Sequence, residues 1–183
     1  KINTYIFNRD TVDIMISDLM NHGIKHKNGN HVGKTIIFAQ NKRHAKYIIE
    51  RFDVLYPQYK GAFCKLVVCD EPYAEKNLED FKKPDEYPFI TVTVDMLETG
   101  VDVPEITNLV FAKKVYSRIK FEQMIGRGTR LCENLFGEGR DKKAFYIFDY
   151  MRNFQFFGEN PKGKAGSKYC SRVGKIYTYG ADY

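Results

Sequence analysis

Long apolar runs are missing from this sequence. None approaches the roughly 18 residues of a membrane-spanning helix. The first residues, KINTYIFNRD, lack the charged region followed by an apolar stretch that marks a secretory signal. They also lack an initiator Met, so the chain reads as an internal piece of a longer protein, with room for part of an active site elsewhere. Cysteine is sparse: Cys64, Cys69, Cys132 and Cys170 include no pair at the two-residue gap of zinc or redox motifs. Reduced, mostly buried thiols are the expectation. Acidic residues are the minority, 23 against 29 Lys and Arg, which leaves a net charge of +6. That mild excess permits a polyanionic partner without demonstrating one. His22, His26 and His31 straddle a helix end and a loop with no acidic or thiol partner at regular spacing, so no metal site is expected.

What is present is an alternation of short segments. The 183 residues, 43% of them hydrophobic, suffice for one domain with a substantial core, or a domain plus a tail. Asp10 is the candidate cap of a helix over residues 11–21, with Gly23 as its stop. A polar connector over 26–33 leads into TIIFA at 35–39, a β-branched run typical of a buried strand. A helix over 41–55 follows, then strands at 64–69, 89–94, 108–112 and 144–150, with helices at 73–82 and from a Ser117 cap to about Leu131. Such alternation implies right-handed βαβ units. The expected fold class is therefore α/β, a parallel sheet flanked by helices over residues 1–157. Residues 158–183 are rich in Gly, Lys and Tyr without a long apolar period, and read as a tail or connector. Lys162, Lys164, Lys168, Arg172 and Lys175 give that tail a basic character, suited equally to DNA phosphates and to solvent. Tyr146, Phe148, Phe154, Phe156 and Phe157 are read as core or docking residues rather than base-stacking ones.

Gly33-Lys34-Thr35 invites a phosphate-loop reading, but the spacing is wrong. That motif needs four residues between its glycines, and Gly29 stands only three before Gly33. The context is inverted too, because this GKT opens a strand instead of a helix. Lys34 is expected to be a solvated residue at a strand start.

Two other segments carry a stronger signal. In QMIGRGTR, residues 123–130, Arg127 and Arg130 lie three apart late in a predicted helix, where both would project from nearly one face. Two guanidinium forks so placed suit a polyphosphate, and Gly126 would admit close backbone approach. The plainer alternative is a helix end with surface arginines. TVDMLETGVDVP, residues 93–104, follows a predicted strand and holds Asp95, Gly100 and Asp102. Open α/β sheets bind ligands at the carboxyl ends of their strands, where a carboxylate meets a ribose hydroxyl. The alternative is a capped turn punctuated by Pro104.

Together these motifs resemble the second RecA-like lobe of superfamily-2 helicases. TIIFAQN at 35–41 is similar to helicase motif IV, VDMLETGVD at 94–102 to motif V, and QMIGRGTR to motif VI, Gln-x-x-Gly-Arg-x-x-Arg, in the right order. A narrower resemblance runs through FNRDTVDIMISDLM, GKTIIFAQNKRHA, VTVDMLETGVDVPEI, IGRGTRLC and FDYMRNFQFFGENP. These pieces resemble the motor subunit (R subunit) of type I restriction enzymes.

The resemblance implies an ATP site shared between two lobes, with the phosphate-binding loop and the Mg2+ ligands on a first lobe outside this sequence. By motif position, Arg130 is the implied arginine finger. Arg127 would support the phosphates or couple them to DNA, Gln123 would set the nucleotide-dependent interface, and Gly100 and Asp102 would approach the nucleotide. Asp95 would order its loop by capping. The implied partners are double-stranded DNA, the first lobe and nuclease domain of the same chain, and modification and specificity subunits, in a bacterial or archaeal cytoplasm without membrane attachment. The parent would be an ATP-dependent type I site-specific deoxyribonuclease, and this piece alone would be inactive. Many members place a Thr where this sequence has Val94, which puts that backbone contact in doubt. Asn41, Lys42, Arg43, His44, Thr91 and Thr93 are weaker candidates for the DNA track. A stand-alone repair helicase and a non-catalytic nucleic-acid or protein-binding module of the same fold remain alternatives.

Overall fold

The computed structural model of the chain describes residues 7–95, 102–158 and 175–180. Gly100 and the basic residues 162–172 of the tail, with Cys170, therefore lie outside the described residues.

The first helix, α1, spans Arg9–His22, and its cap is Asn8, not Asp10. The Asn8 side chain accepts from the Thr11 N–H, while Asp10 sits in the first turn. An acidic group there still favours the positive helix end. Strand β1 is Lys34–Ala39 and leads directly into α2, Lys42–Leu55, capped by the Asn41 side chain on the His44 N–H at 2.8 Å. Strand β2 is short, Cys64–Leu66, and α3 is Ala74–Phe81. Strands β3, Ile90–Thr93, and β4, Ile106–Ala112, precede α4, Arg118–Gly126, whose cap is Ser117 as expected. Strand β5 is Ala144–Asp149, followed by a single turn of helix, α5, Asn153–Phe157.

Among the described residues the sheet has six strands, in the order β2-β3-β1-β4-β5-β6, where β6 is Lys175–Gly180. This last strand pairs antiparallel with β5, in contrast to the parallel pairs among the first five. The segment expected to be a tail thus returns to cover the sheet edge beside β5. Its KIYTYG pattern was too short and too flanked by Gly and Lys to stand out by periodicity.

Alternation along β1 divides the core. Ile37 and Ala39 pack with Val12, Ile16 and Leu19 of α1 and Ala45, Ile48 and Phe52 of α2. Ile36 and Phe38 face the opposite layer, with Leu78 and Phe81 of α3, Phe121 and Met124 of α4, and Phe154 of α5. Period-two side-chain placement buries both faces of the strand, which is why its Ile36–Ala39 stretch is apolar throughout. Phe154, 2% exposed, is core, whereas Phe156 is 52% exposed beside Tyr116 and the Lys114 ammonium. Of the described cysteines only Cys64 is buried; Cys69 is exposed and Cys132 half-buried. The β2 strand stops at Leu66, so Cys69 falls in a loop beyond it.

Gly33-Lys34-Thr35 does open a strand, but Lys34 is not solvated. It is 1% exposed, and its ammonium donates to the carbonyls of Glu86 and Pro88 at 2.7 and 2.8 Å. Phe81 and Phe89 flank it at cation–π range. Burial pulls its pKa down to about 8. The histidine connector is a tight turn in which His26 and His31 stack, and Asp85, distant in sequence, lies 3.0 Å from His26 Nε2. Among the described residues, no group of three His, Cys, Asp or Glu is placed to hold a metal, and no helix is long and apolar enough to cross a membrane.

Candidate functional site

The candidate residues divide between the two edges of the sheet. β1, β3, β4 and β5 run parallel, so their carboxyl ends share one edge and their amino ends the other.

The carboxyl edge collects Asn41 to His44 after β1, Asp95 after β3, Lys113 to Ser117 after β4, and Tyr150 to Asn153 after β5. Its hub is Asp149, 2% exposed. Asp149 accepts from the backbone N–H of Met151 and Phe154 and from the Asn153 side-chain amide, at 3.0 to 3.1 Å. Burial pushes its carboxyl above the usual range, against the downward pull of those N–H donors. Asn153 carries the network onward, donating to the Lys113 carbonyl and accepting from the Val115 N–H. Lys113 in turn donates to the Val94 carbonyl and lies 4.0 Å from Asp95. The residues that Asp95 is expected to cap lie outside the described ones; within them, Lys113 reaches across from the end of β4 to Val94 and Asp95.

Of the weaker DNA-track candidates, the structure brings Asn41, Lys42 and Arg43 to the surface at the start of α2. Lys42 and Lys46 share the Glu71 carboxylate at 2.6 and 2.9 Å, and Arg43 lies over the Phe7 ring. His44 is 2% exposed, its ring accepting from the Gln40 N–H. Thr91 and Thr93 are 0% and 1% exposed inside the central strands. These three side chains therefore do not reach a phosphate backbone; β3 is covered on both faces by helices, so neither face of the strand is free.

Asp102 and Arg130, from the 93–104 and 123–130 segments, meet at the other edge. Asp102 precedes β4, and Arg130 lies between α4 and β5, so both sit near the amino ends of those strands. This corrects the expectation of a site at the carboxyl ends. Among the described residues of the 93–104 segment, only its start, up to Asp95, lies at that edge. Arg130 Nε and Nη2 donate to the two oxygens of Asp102 at 2.9 and 2.8 Å, across 28 positions of sequence. Both side chains are more than half exposed. Such a pair contributes about 0–1 kcal/mol, so Arg130 is oriented by it yet free to exchange one anion for another at little cost.

The helical placement expected for both arginines does not hold. α4 ends at Gly126, with Arg127 at its cap. Gly128 N–H then returns to the Ile125 carbonyl, and Thr129 returns to that of Gly126 through both its N–H and its hydroxyl. The chain unwinds there, leaving Arg127 half-buried at the helix end and sending Arg130 towards Asp102. Gln123 is exposed on the last turn of α4. The two glycines have separate duties. A Cβ on Gly126 would meet nothing within 4 Å, so its backbone faces open space. A Cβ on Gly128 would fall 2.3 Å from the Phe145 ring, so that glycine is required by packing.

The residue that sequence reasoning missed is Lys142. It is 4% exposed, just ahead of β5, with its ammonium on the carbonyls of Pro104 and Arg130 at 2.9 and 2.8 Å. One of two adjacent lysines in the charged stretch GRDKKA gives no periodic or motif signal of burial.

The helicase conserved C-terminal domain model matches residues 12–132 of this chain. The chain belongs to that family. Its sheet and flanking helices are the RecA-like fold of such lobes, of superfamily-2 type. The lobe is 41% identical over 124 residues to the type I restriction enzyme EcoKI endonuclease subunit of Escherichia coli strain K12, covering 63% of this chain and 10% of that protein. It is 29% identical over 137 residues to the EcoAI endonuclease subunit of Escherichia coli, covering 73% of this chain and 16% of that protein. Among solved structures, it is similar to a fragment described as an HsdR subunit of a type I restriction enzyme from Vibrio vulnificus YJ016. That match has a TM-score of 0.69 at 26% identity and covers 86% of this chain and 30% of the other. The helicase lobe thus spans between a tenth and a sixth of the curated relatives it matches.

Proposed function

We propose that this chain is the second motor lobe of an ATP-dependent double-stranded DNA translocase, the R subunit of a type I restriction enzyme. The observation that carries the reading is the exposed Arg130 fork, held bidentate by Asp102 where motifs V and VI converge. A planar fork that already grips two carboxylate oxygens presents the geometry a phosphate requires.

The residues at this edge fit a nucleotide polyphosphate. Gly126 leaves open space beside the end of α4, Gln123 is exposed one turn earlier, and Arg130 is accessible. Bound ATP supplies the phosphoanhydride bond whose hydrolysis drives movement, with Mg2+ held by the first lobe. Arg130 would act on that nucleotide as the arginine finger, neutralising charge on the phosphate oxygens, a contribution worth about 10³–10⁵ in rate. Asp102 would hold the fork between turnovers, and its remaining lone pairs would face the ribose. Gly100 would lie beside it, and Arg127, at the helix end, would support the phosphates. At the opposite edge, Asn41, Lys42 and Arg43 would follow the DNA backbone. Affinity through them should fall steeply with salt. The first lobe and nuclease domain of the same chain, with modification and specificity subunits, would complete the assembly in a bacterial or archaeal cytoplasm.

The test is DNA-stimulated ATP turnover by the full-length protein, wild type against Arg130→Ala, with this lobe alone as a control. A silent lobe and a loss of about a hundredfold or more in the variant support the reading. Near-normal turnover in the variant would sink it and favour a binding module that merely keeps the fold.

A further inference from the structure

One buried cation holds the backbone of Arg130 and the backbone two residues beyond Asp102. Lys142 Nζ donates to the Arg130 carbonyl and to that of Pro104, two residues beyond Asp102. Its backbone N–H donates to the Cys132 carbonyl at 2.8 Å, closing an isolated antiparallel bridge between residues 132 and 142. The Phe145 ring lies 5.9 Å from the ammonium and forms the floor on which Gly128 rests. The segment that carries Arg130 is therefore fixed at three points: Gly128 on Phe145, the Arg130 carbonyl on the Lys142 ammonium, and the Cys132 carbonyl on the Lys142 amide. The segment that carries Asp102 is fixed to the same ammonium through Pro104.

The energetics make this attachment specific. An ammonium taken out of water is costly unless its protons are bonded. Lys142 meets that demand with two carbonyls from two distant segments, so neither segment shifts without leaving a buried donor unmatched. Asp102 orients the exposed fork only weakly, while the backbone from which the fork projects is fixed by Lys142.

We infer that Lys142 is a positioning residue for ATP hydrolysis, holding the Arg130 and Asp102 segments in fixed relation so that the fork meets the phosphate. The inference rests on the motor reading above. It goes further by assigning a role to a residue outside the helicase motifs, one that acts through Arg130 without touching nucleotide.

The experiment measures DNA-stimulated ATP turnover by the full-length protein carrying Lys142→Met, alone and combined with Arg130→Ala. Methionine keeps the length and apolar stem and removes the donors. In the wild-type background kcat should fall about 10- to 100-fold, as for a misplaced catalytic group, with the KM for ATP within about threefold. In the Arg130→Ala background the same change should cost less than about twofold, because the group it positions is already gone. Lys142→Arg, which keeps a charge and several donors, should restore most of the turnover. If Lys142→Met melts below the assay temperature, Lys142→Leu, which also lacks a donor, replaces it in both backgrounds. Equal losses in both backgrounds would show that the lysine serves only the fold, and unchanged kcat would remove it from the reaction; either overturns the inference. Near-normal turnover in Arg130→Ala alone would instead bring down the motor reading, so the two failures are told apart.

Discussion

The two edges of the sheet solve one problem with opposite charges. At the carboxyl edge the buried hub is an anion, Asp149, which gathers backbone and side-chain N–H groups from the turn after β5. At the amino edge the buried hubs are cations, Lys34 and Lys142, each of which gathers two carbonyls. Turns that leave a sheet carry backbone groups that the ladder no longer satisfies. A carboxylate accepts where donors are stranded, and an ammonium donates where carbonyls are stranded. The difference lies in what each hub holds. Asp149 ties neighbouring turns together locally. Lys142 ties together two segments whose side chains form the exposed Arg130–Asp102 pair.

The comparison is most easily broken at Asp149. Asp149→Ala strands three donors in a buried turn and should destabilise the lobe by about 3–5 kcal/mol in chemical denaturation. Asp149→Asn, which keeps one acceptor, should cost distinctly less. A loss no larger than that at an exposed carboxylate would mean the hub is replaceable by water.

The cationic hub is sharpened by pH. Burial pulls the Lys142 pKa down to about 8 from 10.5. Below pH 8 the lysine is charged in both states, and burial of that charge costs stability in full. Between pH 8 and 10.5 the folded lobe releases its proton while the unfolded chain keeps it, so stability rises with pH. Relative to Lys142→Met, the wild type should therefore gain up to about 3 kcal/mol across that window. Melting of both proteins at pH 7 and pH 10 measures the difference, and a flat difference would count against a buried ammonium.

A smaller effect separates the two glycines. Gly128→Ala drives a methyl into the Phe145 ring and should cost about 1–3 kcal/mol. Gly126→Ala meets open space and should leave stability unchanged or slightly raised, by under about 1 kcal/mol, since Ala favours helix. If ATP approaches that backbone, turnover should nevertheless fall. The smallest effect is expected at the exposed pair: Asp102→Ala should change stability by less than about 1 kcal/mol in thermal melting. A larger loss would mean that Arg130 is structural.

Much of this fold was legible because periodicity is local. The β-branched run at 35–39, the Ser117 cap and the Gly23 stop all depend on neighbours in sequence, and all three hold. QMIGRGTR keeps helical spacing on paper, but α4 ends at Gly126, where the chain turns so that Gly128 packs on the Phe145 ring, a contact no local spacing reveals. The strand Lys175–Gly180 was missed for a similar reason. Its pairing partner, β5, lies about thirty residues away, and strand identity at an edge is conferred by pairing more than by composition.

The sequence by itself determined the α/β class, because residue type and spacing carry periodicity directly, and its segments carried the resemblance to a helicase lobe. Only the tertiary structure decided that Asp102 and Arg130 meet at the amino edge of the sheet, that His44, Thr91 and Thr93 face inward, and that Lys34 and Lys142 are buried cations. A lysine's burial depends on whether carbonyls from distant turns converge on its ammonium, and that convergence exists only once the strands are paired.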